Sequence, residues 1–87
     1  MRDEDKIWVK VKLFAVYQEV FDTPELDLEL SSGTSVGEVL QSLIDRQPQI
    51  ERWREITRFG VNLQFVKPDT VLQDGDEVVL IPPVSGG

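Results

Sequence analysis

The chain has 87 residues, enough for one small domain, with 40% hydrophobic and 29% charged residues. Sixteen Asp plus Glu against nine Lys plus Arg give a formal net charge of -7, which opposes nucleic-acid binding because that draws on cations to displace phosphate counterions. Neither Cys nor His occurs, so a disulfide, persulfide, thiolate nucleophile, zinc–thiolate site or imidazole proton shuttle is excluded, and a carrier, binding module or subunit is expected rather than a complete enzyme.

No stretch approaches the roughly 20 apolar residues of a membrane span. The charged start Met1-Arg2-Asp3-Glu4-Asp5-Lys6 reads neither as a signal peptide nor as a presequence, so a cytoplasmic location without membrane attachment is expected. Residues 1–5 read as a flexible, solvated extension of a single domain spanning 1–87.

Along residues 7–14 the pattern alternates: Ile7, Val9, Val11 and Leu13 share one face and Trp8, Lys10, Lys12 and Phe14 the other, as in a half-buried strand. Residues 15–21 are apolar but irregular and fit a short helical turn, and Asp22-Thr23-Pro24-Glu25 reads as a turn. Leu26, Leu28 and Leu30 alternate with acids, which predicts a second strand paired with the first as a hairpin. Ser35 followed by Glu38 matches a capping box, and Val36, Val39, Leu40, Leu43 and Ile44 recur at helical spacing, so a helix is predicted over 35–47, closed by Pro48.

Residues 49–57 fit a further helical turn with Ile50, Trp53 and Ile56 as its apolar side. Val61-Asn62-Leu63-Gln64-Phe65 alternates as a third strand. Val71-Leu72 is a short apolar pair after the Pro68-Asp69-Thr70 loop, and Asp74-Gly75-Asp76 is a tight turn. Glu77-Val78-Val79-Leu80-Ile81 is a continuous run that predicts a strand covered on both faces, placed centrally beside the first. A hairpin cannot close a core alone, so the helix must lie across one sheet face. The predicted fold is α+β: a ubiquitin-like β-grasp, with a mixed sheet, one main helix across one face and a flexible C-terminal Gly-Gly tail.

That tail is Pro82-Pro83-Val84-Ser85-Gly86-Gly87. Consecutive prolines fix φ and favour an extended arm over 82–87, lifted from the sheet. Without Cys or His, a C-terminal carboxylate is the one unusual reactive group on offer, and glycines admit it to a narrow channel of another protein. A carboxylate resists nucleophiles until it is adenylated. No phosphate-cradling Gly-rich motif occurs here, so a separate enzyme must use ATP on Gly87.

Gly75-Asp76-Glu77-Val78 followed by Pro82-Pro83-Val84-Ser85-Gly86-Gly87 resembles the end of the small, sulfur-carrying subunit of molybdopterin synthase, the MoaD-like family. Phe14-Ala15 and Val61-Asn62 fall where that family places them, whereas Gln18 stands where it often has an arginine. The resemblance implies a Gly87 adenylated by a ubiquitin-activating-type enzyme and turned into a thiocarboxylate by a sulfur donor protein. Residues Pro82, Pro83, Val84, Ser85 and Gly86 would thread the tail into a large synthase subunit, in a heterotetramer of two small and two large subunits. There the sulfur builds the molybdopterin dithiolene. No metal and no bound cofactor are implied for this chain.

By motif position Phe14, Phe65 and Ile81 match the family's partner-binding residues. Phe65 also shares its alternation with Val61 and Leu63, so core and partner surface both fit it, and Ile81 is equally ambiguous. Trp8 and Trp53 read as half-buried anchors, Asp74 and Asp76 as turn residues rather than a metal pair, and Arg52, Arg54 and Arg58 as a solvated helix face or an acidic-partner contact. Other functions compatible with the same tail are a sulfur carrier for thiamine thiazole synthesis or tRNA thiolation, a ubiquitin-like protein modifier, and a plain interaction domain. Pro82-Pro83-Val84 fits the molybdopterin branch best.

Overall fold

The computed structural model of the chain describes residues 5–82. Its elements are β1 (Lys6–Leu13), α1 (Val16–Phe21), β2 (Glu25–Ser31), α2 (Val36–Arg46), a 3-10 helix (Pro48–Ile56), β3 (Arg58–Val61), β4 (Gln64–Val66) and β5 (Glu77–Ile81). The strands make one mixed sheet in the order β2-β1-β5-β3-β4, with β5 parallel to β1 and antiparallel to β3. This is the expected β-grasp arrangement.

Alternation in β1 is realised as read: Ile7, Val9, Val11 and Leu13 are buried, and Trp8, Lys10 and Lys12 face the other way. β2 pairs with it antiparallel from Lys6↔Ser31 to Lys12↔Glu25. As an edge strand, β2 buries only Leu28 fully and leaves Leu26 and Leu30 half-buried. β5 corrects an expectation, because it is covered on one face only. Val78 and Leu80 are fully buried, whereas Glu77, Val79 and Ile81 look out from the opposite side. The described residues supply a single helical layer, so a strand that is central within the sheet still has one uncovered face.

α2 supplies most of that layer. Its capping box forms in both directions, Ser35 N–H donating to Glu38 Oε1 at 2.9 Å and Glu38 N–H to Ser35 Oγ at 3.3 Å. Two more first-turn amides are satisfied by the 68–70 loop: Val36 N–H donates to the Thr70 carbonyl (2.9 Å) and Gly37 N–H to the Pro68 carbonyl (2.8 Å). Gly37 permits this approach, since a Cβ there would lie 2.9 Å from the Pro68 oxygen. The apolar stripe Val36, Val39, Leu40, Leu43 and Ile44 is buried against the sheet, as predicted.

The next segment is a 3-10 helix whose three residues per turn align Ile50, Trp53 and Ile56 in one row. Ile50 is buried and Trp53 half-buried, its ring edge-to-face with buried Tyr17 at 5.9 Å. Ile56 departs from expectation by remaining exposed. Thr57 takes the inner place instead: its hydroxyl donates to the Trp53 carbonyl (2.7 Å) and bonds with the Tyr17 hydroxyl. This ties α1, the 3-10 helix and the start of β3 together, and burial pushes the Tyr17 phenol above its ordinary value.

The single strand expected over 61–65 is in fact a hairpin tip. β3 starts at Arg58, Asn62 and Leu63 both take positive φ (51° and 73°), and β4 returns from Gln64. Two positive-φ residues between paired strands mark a type I′ turn. Its usual signal is a glycine, which this turn lacks, so the alternation read through it. Buried Phe59 and half-buried Val61 are the inward residues of β3, whereas Leu63 and Phe65 are exposed.

Gly37→Ala is expected to destabilise the fold by about 1–3 kcal/mol through overpacking against the Pro68 carbonyl, although alanine favours a helix over glycine by about 1 kcal/mol. Urea unfolding compared with the parent chain measures this, and unchanged stability would show that the 68–70 loop yields.

Candidate functional site

β5 carries the chain out of the middle of the sheet, between β1 and β3, and ends at Ile81. Pro82 follows and is buried. It therefore belongs to the folded body, which corrects its expected place on the lifted arm. Proline has no N–H to leave unpaired, so it can close a ladder inside the fold without an orphan donor. The threading residues Pro83, Val84, Ser85 and Gly86 and the reactive Gly87 lie outside the described residues.

The strand registers place one row across all five strands on the uncovered face: Glu25, Lys12, Val79, Gly60 and Phe65. Gly60, lacking a side chain, leaves a hollow between Val79 and Phe65. A shallow groove of about 200 Å³ results, lined by Gly60, Leu63, Gln64, Phe65, Val79 and Ile81. Phe65 is 74% exposed, so of its two sequence readings core is ruled out and exposed surface holds. Ile81 is half-buried and lines the same groove, at the root of the tail.

Phe14 is 49% exposed but stands apart from the groove. It follows β1 one place beyond the Leu13↔Leu80 pair, on the other side of β5. It precedes Ala15, whose φ of 51° is rare for a residue with a Cβ. Two apolar side chains of the groove were not read as surface from the sequence. Val79 sat inside a run read as buried on both faces, and Leu63 inside a strand that does not exist.

Leu63 is 93% exposed, at a backbone position that glycine suits best. Full burial of a leucine side chain is worth about 1.5–3 kcal/mol, which Leu63 forgoes in this chain. Asn62 holds the turn: Nδ2 donates to Asp76 Oδ1 (2.8 Å), Oδ1 accepts from Glu77 N–H (3.0 Å), and its own N–H reaches the Glu77 carbonyl (2.9 Å).

Asp74 and Asp76 act as turn residues. Asp74 Oδ1 accepts from Trp8 N–H (2.8 Å), Asp76 Oδ2 from Gln73 N–H (2.7 Å), and Gly75 N–H donates to the Trp8 carbonyl (2.7 Å). Trp8 lies above this turn on the uncovered face, more exposed than the anchor expected of it. Arg54 pairs with Glu51 (2.8 Å) and Arg52 lies over the Trp53 ring. Arg58 is not on that helix at all but on β3, opposite Ile81 in register. Among the described residues no group of three or more His, Cys, Asp or Glu side chains is placed to hold a metal ion, and no helix is long and apolar enough to cross a membrane.

The model of the ThiS family matches residues 11–87, from mid-β1 to the closing Gly-Gly. The chain belongs to the ThiS family. It is 40% identical over 83 residues to the molybdopterin synthase sulfur carrier subunit of Mycobacterium tuberculosis, covering 93% of this chain and 99% of that protein. The solution structure of small archaeal modifier protein 1 from Methanosarcina acetivorans superposes with a TM-score of 0.73 at 35% identity, over 94% of this chain and 98% of that one. A complex of subunits 1 and 2 of the molybdopterin-converting factor from Helicobacter pylori contains a chain of the same fold, with a TM-score of 0.59 at 22% identity, over 93% of this chain and 100% of that one.

In this ThiS-family chain the apolar groove is bordered by an ion-pair ladder on the same face. Lys10 Nζ lies 3.1 Å from Glu25 and 3.3 Å from Asp27, and Lys12 Nζ 3.4 Å from Glu25 and 3.5 Å from Glu77. Hydrogen bonds from Lys10, then Lys12, hold the Glu25 carboxyl below its ordinary value, and Glu25, then Asp27, raise Lys10. The pairs are exposed, so their worth is small and screened by salt. Glu25 stabilises the fold above its unfolded-state value, and that contribution is lost as pH falls through the folded value. Lys10 contributes below its unfolded-state value, and loses this as pH rises through the folded one. An NMR titration of Glu25 should find a depressed midpoint that moves back towards the ordinary value in K10M and in high salt; an unmoved midpoint would dissolve the ladder.

Proposed function

We propose that this chain is the sulfur carrier subunit of a molybdopterin synthase, with the carboxyl group of Gly87 as its working group. The observation that carries this reading is the family match running unbroken into Gly86-Gly87, joined to a relative of that name at 40% identity over nearly its whole length. The chemistry follows from the residue types present. With no Cys or His in the chain, sulfur has to ride on a terminal carbonyl. Adenylation by a ubiquitin-activating-type enzyme replaces a poor leaving oxygen with AMP, pyrophosphate departing from ATP. Sulfide-level sulfur from a donor protein then attacks the acyl carbonyl and displaces AMP, to leave a thiocarboxylate. In the large subunit that sulfur passes to the pterin precursor, and water restores the carboxylate.

The folded body serves this chemistry by positioning. β5 is gripped on both edges, so the exit of the tail at Ile81-Pro82 is fixed relative to the groove and to Phe14. A large subunit that docks on Phe65 and Ile81, with Phe14 as a separate contact, takes in the glycines without a second binding event. The pairing of subunits 1 and 2 in the Helicobacter pylori complex, whose small chain shares this fold, supports such a partner. Two small and two large subunits make the proposed assembly, in the cytoplasm.

A second reading, protein modification through an isopeptide bond, is favoured by the likeness to the archaeal modifier protein. Intact-mass analysis of the chain from cells making the cofactor separates the two. The carrier reading expects a species with one oxygen replaced by sulfur at Gly87, and finding only lysine conjugates would transfer the function to modification. Deleting Gly87, or adding one residue after it, is expected to abolish sulfur transfer to the pterin precursor while leaving the melting temperature unchanged. Retained transfer by either variant overturns the terminal carboxyl as the reactive group.

A further inference from the structure

We propose that Leu63 is an anchor residue for the large subunit, seated on assembly in an apolar socket of that partner and acting as a determinant of partner choice. This rests on the sulfur-carrier reading and extends it to a residue that neither the motifs nor the alternation singled out. Leu63 occupies the second central position of the β3–β4 turn with φ 73°. A Cβ there crowds the backbone, and glycine suits the position. The side chain is 93% exposed and gains no packing in return. Nor can the turn relax cheaply, because the Asn62 side chain clamps it to Asp76 and to the Glu77 amide. A rigid frame thus projects a large apolar side chain into water at an unfavourable backbone angle. A partner that buries it accounts for both features.

The exit of the tail says which partner. Residues 83–87 follow the buried Pro82, and five residues extend at most about 18 Å. A protein that takes Gly87 into its active site therefore stands over this end of the sheet. Leu63 lines one groove with Phe65, Val79 and Ile81, and that groove reaches the root of the tail. Lasting assemblies bury larger and more apolar interfaces than transient encounters, which charge steers, so an exposed leucine suits the synthase assembly.

The test uses the full chain, its large subunit and its activating enzyme, with L63N, which tolerates positive φ but removes the apolar knob, and L63M, which keeps it apolar. L63N is expected to bind the large subunit at least tenfold more weakly, chiefly through faster dissociation. Its melting temperature should equal or exceed that of the parent chain, and adenylation of Gly87 should be unchanged. L63M should retain binding. Binding of L63N within twofold of the parent overturns the proposal. So does a lowered melting temperature accompanying the loss, which assigns Leu63 to the fold, and so does a defect confined to adenylation, which assigns it to the activating enzyme. If the parent chain itself fails to bind the large subunit, the carrier reading falls, and this inference with it.

Discussion

Parallel pairing of β1 with β5, from Lys10↔Glu77 to Leu13↔Leu80, is the constraint on which the rest of the molecule depends. It brings the two ends of the described chain together at the centre of the sheet, where Val11, Val78 and Leu80 are wholly out of contact with water. Parallel neighbours cannot be joined by a tight turn and need a crossover. Here everything from α1 to the Asp74-Gly75-Asp76 turn serves as that crossover. α2 lies across the shared face because its Val36–Ile44 stripe has only that surface to bury against. The same pairing decides where the tail leaves: from a strand held on both edges rather than from a frayed border.

A single helical layer leaves the other sheet face open, and that face divides in two. Towards β2 it is an ion-pair ladder built on Lys10 and Lys12, towards β4 an apolar groove around Gly60. The division follows from strand composition. β1 and β2 alternate apolar residues with charges, whereas β5 carries Val79 and Ile81 on positions that alternation would have given to polar residues. An exposed apolar strip beside the exit of a five-residue tail makes physical sense when another protein covers it.

Part of the backbone strain falls at the groove. Asp22 sits in the left-handed region at the end of α1, a helix stop that Asp tolerates. The other non-glycine residues at positive φ among the described residues are Ala15, Asn62 and Leu63. Asn62 is held by three hydrogen bonds. Ala15 follows exposed Phe14, and Leu63 is itself exposed. Both therefore sit at exposed apolar side chains for which partner contact is proposed. The fold tolerates unfavourable local geometry beside exposed apolar side chains, while its interior keeps ordinary helical and extended conformations.

Much of this was written into the sequence. Period-two alternation in β1 and β2, the Ser35–Glu38 box with its apolar stripe, the glycine in the 74–76 turn and the closing prolines and glycines are local signals. Each depends on residues within a few positions of one another, so spacing alone determined most of the elements and pointed to the β-grasp class, while the closing motif carried the resemblance to the family. Pairing decided the remainder. The Asn62-Leu63 turn carries no glycine, and it exists because Asn62 reaches Asp76 and Glu77 across the sheet. Phe65 is exposed because that turn reverses the strand before it, and Pro82 is buried because the strand before it is central. Ile56 yields its inner place to Thr57 because Tyr17, distant in sequence, supplies the hydrogen bond. Alternation says that two faces differ, but not which of them receives a helix. That depends on contacts between residues far apart in the chain, which only the assembled structure contains.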